Sequence, residues 1–247
     1  MERNSIPDGL QEIAHEMPVI MNLIADTARW VHPEVFKSLP VWRPDIARTS
    51  LLYKADWVTP ATNKGSPKSE GNVAAQSSLL AALGVVGAKP TNWTTCHIWG
   101  YDDGAFSGKS RIVQDRRFYS CVGNMVLLPT PLKGFTDAVP AVKRQLRVCA
   151  FHLYGWVCEH ETVAGEAESV RSGEIPEGYP KTWPTADRRI LPSGTGPYSE
   201  TIKRRIRDRK HEISRCINTE AYAKYPRDAV RDVLTFWKID LNTLSET

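Results

Sequence analysis

The chain has no long apolar run, no paired-cysteine motif and no large excess of either charge. Nothing in its 247 residues approaches the ~18 consecutive apolar residues needed to cross a bilayer, so no membrane span or membrane partner is expected. The opening MERNSIPDGLQEIAHEMP carries mixed charges where a secretory leader would carry an apolar core; a cytoplasmic location is the expectation. The five cysteines, Cys96, Cys121, Cys149, Cys158 and Cys216, are odd in number, widely spaced and without a C-x-x-C pair. That pattern argues against a disulfide framework and against a zinc ribbon. One structural-zinc alternative remains, Cys149 and His152 with Cys158 and His160, set against plain packing of Cys149 in a core. Net charge is +4, from 32 basic and 28 acidic side chains. Any affinity for nucleic acid must therefore come from local clustering of cations.

What is present is periodic pattern broken by turn signals. Residues 8–38 read as helical, with Leu10, Ile13, Met17, Ile20, Ile24 and Trp30 near helical spacing and Pro18 as a bend or division. Residues 41–60 show little regularity, and 61–71 form a polar Gly/Ser/Pro loop. A short helix over 72–84 ends at Gly84. The strand NWTTCHIW follows, then a polar loop over 100–117, then an apolar strand over 118–129 interrupted by Gly123-Asn124. Asp137 is the expected N-cap of the next helix, with Pro140 in its first turn. Val139, Val142, Leu146, Cys149, Leu153 and Trp156 make one apolar stripe, and Lys143, Arg144 and Arg147 are expected opposite it. Residues 159–198 read as loop. Ser199 caps a second strong helix, with Ile202, Ile206, Ile213 and Ile217 inward, and the stretch from Tyr222 to Trp237 holds another short helix. The expected fold is α+β, mostly helical. Three segments follow: a helical 1–71, a core over 72–160, and a loop with basic helices over 161–247.

TTCHIWG, residues 94–100, places a histidine near a strand end, and the next strand, interrupted by Gly123-Asn124, runs on through NMVLLP to a helix. On these pieces, roughly residues 92–156, the chain resembles the HNH, or ββα-metal finger, nucleases. The resemblance implies an embedded ββα finger and phosphodiester hydrolysis in DNA, of restriction type. His97 would be the general base, taking a proton from water as neutral imidazole near pH 7. Asn124 would orient the site by tying the two arms of the finger together; its other reading is a turn residue after Gly123. A divalent metal would stabilise the transition state, Mg²⁺ first.

Two positions depart from the family pattern. Cys96 precedes the histidine where an aspartate ligand is usual, and Lys133 stands where a second ligand is usual. Asp137 and Cys96 are the metal candidates, with Asp102, Asp103 and Asp115 as further carboxylates and a softer ion on Cys96 as another option. Lys133 is a catalytic candidate that could place its charge on the phosphate directly.

The helix over 199–217 carries seven cations between Lys203 and Arg215 against Asp208 and Glu212. Lys203, Arg204, Arg207 and Lys210, with Lys143, Arg144 and Arg147, are the expected nucleic-acid contacts. Double-stranded DNA is the expected partner, with a homodimer suited to a palindromic site. The alternatives are a catalytically inactive nucleic-acid-binding protein that keeps the finger as scaffold, and a module whose basic helix meets an acidic protein.

Overall fold

The computed structural model describes residues 6–48, 72–100, 112–219 and 225–241, and the backbone of 62–63 and 66–67. Helix and strand are mixed, and helix dominates. Helices α1 (Gly9–Glu12), α2 (Met17–Thr27) and α3 (Pro33–Ser38) open the chain. Strands β1 (Thr62–Asn63) and β2 (Ser66–Pro67) make a short antiparallel ladder. Helix α4 (Val73–Ala82) leads to strand β3 (Trp93–His97). Helix α5 (Arg116–Tyr119), strand β4 (Met125–Pro129), helix α6 (Lys133–Ala138) and helix α7 (Pro140–Tyr154) follow. Helices α8 (Ala164–Arg171), α9 (Glu200–Asn218) and α10 (Arg227–Phe236) complete the described chain.

Several boundaries differ from expectation, each for a local reason. The helical pattern over 8–38 resolves into three helices because Pro18 and Pro33 each lie in a first turn, where the missing proline N–H costs nothing. Between them the chain is extended: Arg29 bridges to Leu127 and Trp30 to Thr195. The apolar run over 118–129 is strand only from Met125. Its first part closes α5, which Asp115 caps by accepting from the Arg117 amide at 2.8 Å. Asp137 lies inside α6 and does not cap α7; that position is held by Val139, with Pro140 just inside. Helix α8 lies within the stretch read as loop.

Other elements fall where the pattern places them. Gly84, at φ +78°, ends the α4 segment in the left-handed conformation that glycine adopts without strain. The Ser199 hydroxyl accepts from the Ile202 amide, and Ile202, Ile206, Ile213 and Ile217 are all buried. Each such side chain contributes about 1.5–3 kcal/mol relative to exposure. The main apolar core runs from Met21 to Val233 and draws on all three segments, so α2, the β3–β4 pair, α7 and α9 share one interior.

Candidate functional site

The site begins with strand register. β3 and β4 pair antiparallel, Trp93 opposite Pro129 and His97 opposite Met125. The chain leaves this pair at His97 and re-enters it directly after Asn124. That asparagine is fully buried. Its Oδ1 accepts from the Trp99 amide at 2.7 Å, and its Nδ2 donates to the carbonyls of Phe118 at 3.1 Å and Trp99 at 3.4 Å. The Ile98 amide also donates to the Asn124 carbonyl at 2.9 Å. One side chain thus binds the segment that leaves β3 to the segment that enters β4. Gly123, beside it, has no room for a side chain: a Cβ there would stand 2.7 Å from the Phe36 ring.

His97 is held by the same short helix. Its Nε2 lies 2.9 Å from the Tyr119 carbonyl, and the two rings stack with centroids 5.7 Å apart. A carbonyl can only accept, so Nε2 carries the proton and the lone pair sits on Nδ1. Burial lowers the imidazole pKa to about 4; the Tyr119 bond opposes that shift, and the charges of Arg48 and Lys143 add to it. At neutral pH the ring is an uncharged base.

Cys96 alternates to the other side of β3 and meets α6. Its thiol touches Thr136 and feels Lys133, Asp137 and Lys143; burial pushes its pKa up to about 11. Lys133 and Asp137 pair with each other across one turn of α6. The end of β3, α6 and the start of α7 therefore bring Cys96, Lys133, Asp137 and Lys143 together, and Lys143 acts on His97 as well. Arg48 also acts on His97. Sequence reasoning passed over Arg48, because the stretch around it has no periodicity that would aim it anywhere.

Lys143 and Arg147 are not on an outer face. Lys143 is 4% exposed and Arg147 is 1% exposed. They belong to a second buried row on α7, with Ala150 and Tyr154, at spacings of four, three and four. Helix α7 is packed on two sides, so a single stripe underestimates its buried surface. Arg147 reaches Glu166 at 3.1 Å and lies over the Trp99 ring at 4.8 Å, a structural role rather than a DNA contact. Arg144 is partly exposed and pairs with Glu166 and Glu174.

Helix α9 divides its cations similarly. Lys210 is buried and donates to the Asp240 carbonyl at 3.2 Å, which corrects its assignment as a DNA contact. Arg205 donates to the carbonyls of Ala81 and Val85, and Arg209 to the Trp42 carbonyl. Lys203 pairs with Glu200 and lies over Tyr198. Arg204 and Arg207 are exposed.

The described donors near His97 do not suit Mg²⁺, which takes oxygen ligands. Cys96 is a protonated thiol, Lys133 is a cation, and Asp137 is engaged by Lys133. Asp115 is held by Arg117 at 2.9 and 3.1 Å. Asp102 and Asp103 lie outside the described residues. Among the described residues no three His, Cys, Asp or Glu side chains form a group able to hold a metal, and Cys149, His152, Cys158 and His160 make none. Cys149 packs against Tyr179, and His160 accepts from the Thr162 amide as a helix cap. Comparison of the chain with protein-family models, curated proteins and solved structures gives no match.

The arrangement offers an oriented, uncharged imidazole that feels the charges of Arg48 and Lys143. That combination can accept a proton from water and stabilise a developing anion.

Proposed function

We propose that the chain is a DNA endonuclease that hydrolyses phosphodiester bonds, with His97 as general base and Asn124 as the residue that positions it. The observation that carries this reading is the shared anchorage of the two. His97 and Asn124 donate to adjacent carbonyls of α5, which leaves Nδ1 of a neutral imidazole as the basic atom, under the charges of Arg48 and Lys143. The ββα finger implied by the resemblance, built here from β3, β4 and the α6–α7 region, is part of the same proposal. No step is assigned to a metal, since the described donors do not suit one. Arg204 and Arg207 are the proposed backbone contacts on α9, with double-stranded DNA as substrate.

The test is nicking and linearisation of supercoiled plasmid by wild type, His97→Ala and His97→Gln, with Mg²⁺, Mn²⁺, Ni²⁺, Zn²⁺ or EDTA. Circular dichroism checks the fold of each variant. Wild-type cleavage that both variants lose supports the reading. Equal cleavage by all three removes His97 from the chemistry. Duplex, single-stranded and RNA substrates in parallel define the preference, and sedimentation with a palindromic duplex reads dimer formation.

A second reading is favoured by Cys96 and Lys133 at the two ligand positions. The chain would bind nucleic acid on the same scaffold without cutting it. That reading expects salt-sensitive DNA binding, unchanged by His97→Ala, and no hydrolysis under any metal condition.

A further inference from the structure

We propose that the chain binds a guanine base in a cleft beside the β3–β4 pair, to whose lining neither His97 nor Asn124 contributes. The inference goes beyond the nuclease reading, since it concerns recognition in a different place and stands whether or not the chain cuts.

Four backbone segments build the cleft floor. Arg29 and Leu127 exchange both backbone hydrogen bonds, at 2.9 and 3.2 Å, so the extended stretch after α2 runs beside β4. On the other edge of that stretch, the Trp30 amide donates to the Gly194 carbonyl at 3.1 Å and the Gly196 amide to the Trp30 carbonyl at 2.8 Å. Residues opposite each other in such a ladder share a face. Thr95 opposite Leu127 and Leu127 opposite Arg29 are therefore on one side, and Trp93, two residues from Thr95, joins them. Thr195 pairs with Trp30 on the reverse side, which leaves Gly194 and Gly196 on the Arg29 side. A Cβ at Gly194 would collide with the Ala28 carbonyl and stand 3.0 Å from Arg29 Nη1, and one at Gly196 would stand 3.3 Å from Leu83 Cδ2. The open space above this surface is about 530 Å³, within the range of small-molecule sites.

The lining defines the chemistry of the ligand. Leu83, Val85, Leu127 and Pro197 give apolar walls, and Trp93 gives a partly exposed ring. The Arg29 guanidinium carbon lies 5.2 Å from the centroid of that ring. Arg29 Nη1 donates to the carbonyls of Thr27 at 2.9 Å and Ala28 at 3.4 Å. Those bonds hold the guanidinium and leave Nε and Nη2 with no partner among the described residues. Asp26, in the last turn of α2, is exposed and has no hydrogen bond or ion pair among the described residues. A carboxylate there faces the negative end of the helix dipole, so its place does nothing for α2. Asp26 and Arg29 are the only charged side chains among the described residues that line the cleft. Their charges cancel, so the site suits an uncharged flat ring with donors and acceptors on its edge, and not a phosphate. Guanine matches in full. Its N1–H and 2-amino group donate to a carboxylate, its O6 and N7 accept from a guanidinium, and its faces stack on an aromatic ring or an arginine plane. Adenine and cytosine each offer the carboxylate an amino group alone.

The test is isothermal titration of the full chain with GMP, IMP, AMP and CMP, and with short single-stranded oligonucleotides that carry one dG or one dA among thymidines. GMP is expected to bind at least about tenfold tighter than AMP or CMP, the scale of one well-made bidentate contact. IMP lacks the 2-amino group and should bind more weakly than GMP. Asp26→Asn should weaken GMP about tenfold and remove its advantage over IMP, a change that a merely structural role would not produce. Arg29→Lys loses the planar fork and should weaken GMP as well. A thermal melt reads the fold of each variant, and the exposed Asp26→Asn carries the test where Arg29→Lys fails to fold. Uptake of GMP names a free nucleotide as ligand, and uptake of the dG strand alone names a base within nucleic acid; either supports the inference. Equal binding of all four nucleotides overturns it, as does no binding of GMP or the dG strand at millimolar concentration. Binding of GMP unchanged by both substitutions overturns it too. A chain that takes up guanine and cuts no plasmid loses the nuclease reading alone; one that cuts plasmid and takes up no guanine loses this inference alone.

Discussion

His97 and Asn124 donate to consecutive carbonyls at one helix end: Nε2 to Tyr119 at 2.9 Å and Nδ2 to Phe118 at 3.1 Å. The last carbonyls of a helix lack partners within it, so α5 offers two acceptors, and the site fills both. The two strands β3 and β4 are thereby fixed to the same short helix through side chains that are also the candidate machinery.

Asn124→Ala removes all three side-chain hydrogen bonds and leaves the buried Trp99 amide without its acceptor. A loss of about 2–4 kcal/mol is expected from bonds and desolvation together, read as a lowered urea midpoint. Asn124→Asp keeps an acceptor for Trp99 but sets a carboxylate against the Phe118 and Trp99 carbonyls, so it should be at least as destabilising at pH 7. A variant with near-wild-type stability would show that the asparagine is not the tie between the arms.

The pH dependence of stability has a definite sign at His97. Its folded pKa, about 4, lies below the ordinary value of 6.5, so the unfolded chain binds more protons between those values. Stability from this group is fully present above about pH 6.5 and is lost as pH falls toward 4. The full change is about 3 kcal/mol. Urea melts at pH 7, 6, 5 and 4 should show that decline, and His97→Gln should flatten its His97 component. In the nuclease reading, the acidic limb of the rate profile falls well below pH 6, not near 6.5.

The Gly123-Asn124 pair shows what the sequence pattern could and could not convey. Strand β3, the helix over 72–84, the Ser199 cap and the inward isoleucines of α9 were legible because each follows from spacing and local capping chemistry. His97 and Asn124 were singled out by resemblance, and the pairing of β3 with β4 sets them at the strand ends. What sets their geometry was not legible: α5 hides in an apolar run that reads as strand, and its role depends on carbonyls that no composition reveals. Lys143 and Arg147 look like solvent-facing cations until the second packed side of α7 is known. Arg48 reaches His97 from a stretch with no pattern at all.

Gly123→Ala tests the packing behind the site. The added methyl would stand 2.7 Å from the Phe36 ring. That ring is hemmed by Tyr154, Trp156 and Trp237, with centroids at 4.9, 6.1 and 5.8 Å, so it has little freedom to yield. Overpacking of this kind costs about 1–3 kcal/mol. The displacement falls next to Asn124, so any cleavage activity should drop by more than the folded fraction does. A thermal melt with matched activity measurements separates the two effects. Unchanged stability would mean that the aromatic cluster moves freely.

Arg147 and Arg204 carry the same charge to opposite ends. The Arg147 side chain is fully buried between Glu166 and Trp99, and Arg147→Ala should cost about 1–3 kcal/mol, because a buried charge-assisted hydrogen bond and the cation over Trp99 are lost while Glu166 keeps Arg144 at 3.5 Å. Arg204 and Arg207 are exposed on α9, where replacing both by alanine should leave the melt within about 0.5 kcal/mol. If α9 meets the DNA backbone, the same double substitution weakens binding across sequences and lowers the log–log salt slope by roughly 1 for every phosphate left without its arginine. Fluorescence anisotropy of a labelled duplex over a salt series reads both quantities. A slope unchanged by Arg204→Ala and Arg207→Ala would take α9 out of the nucleic-acid interface and leave its exposed cations to a different partner.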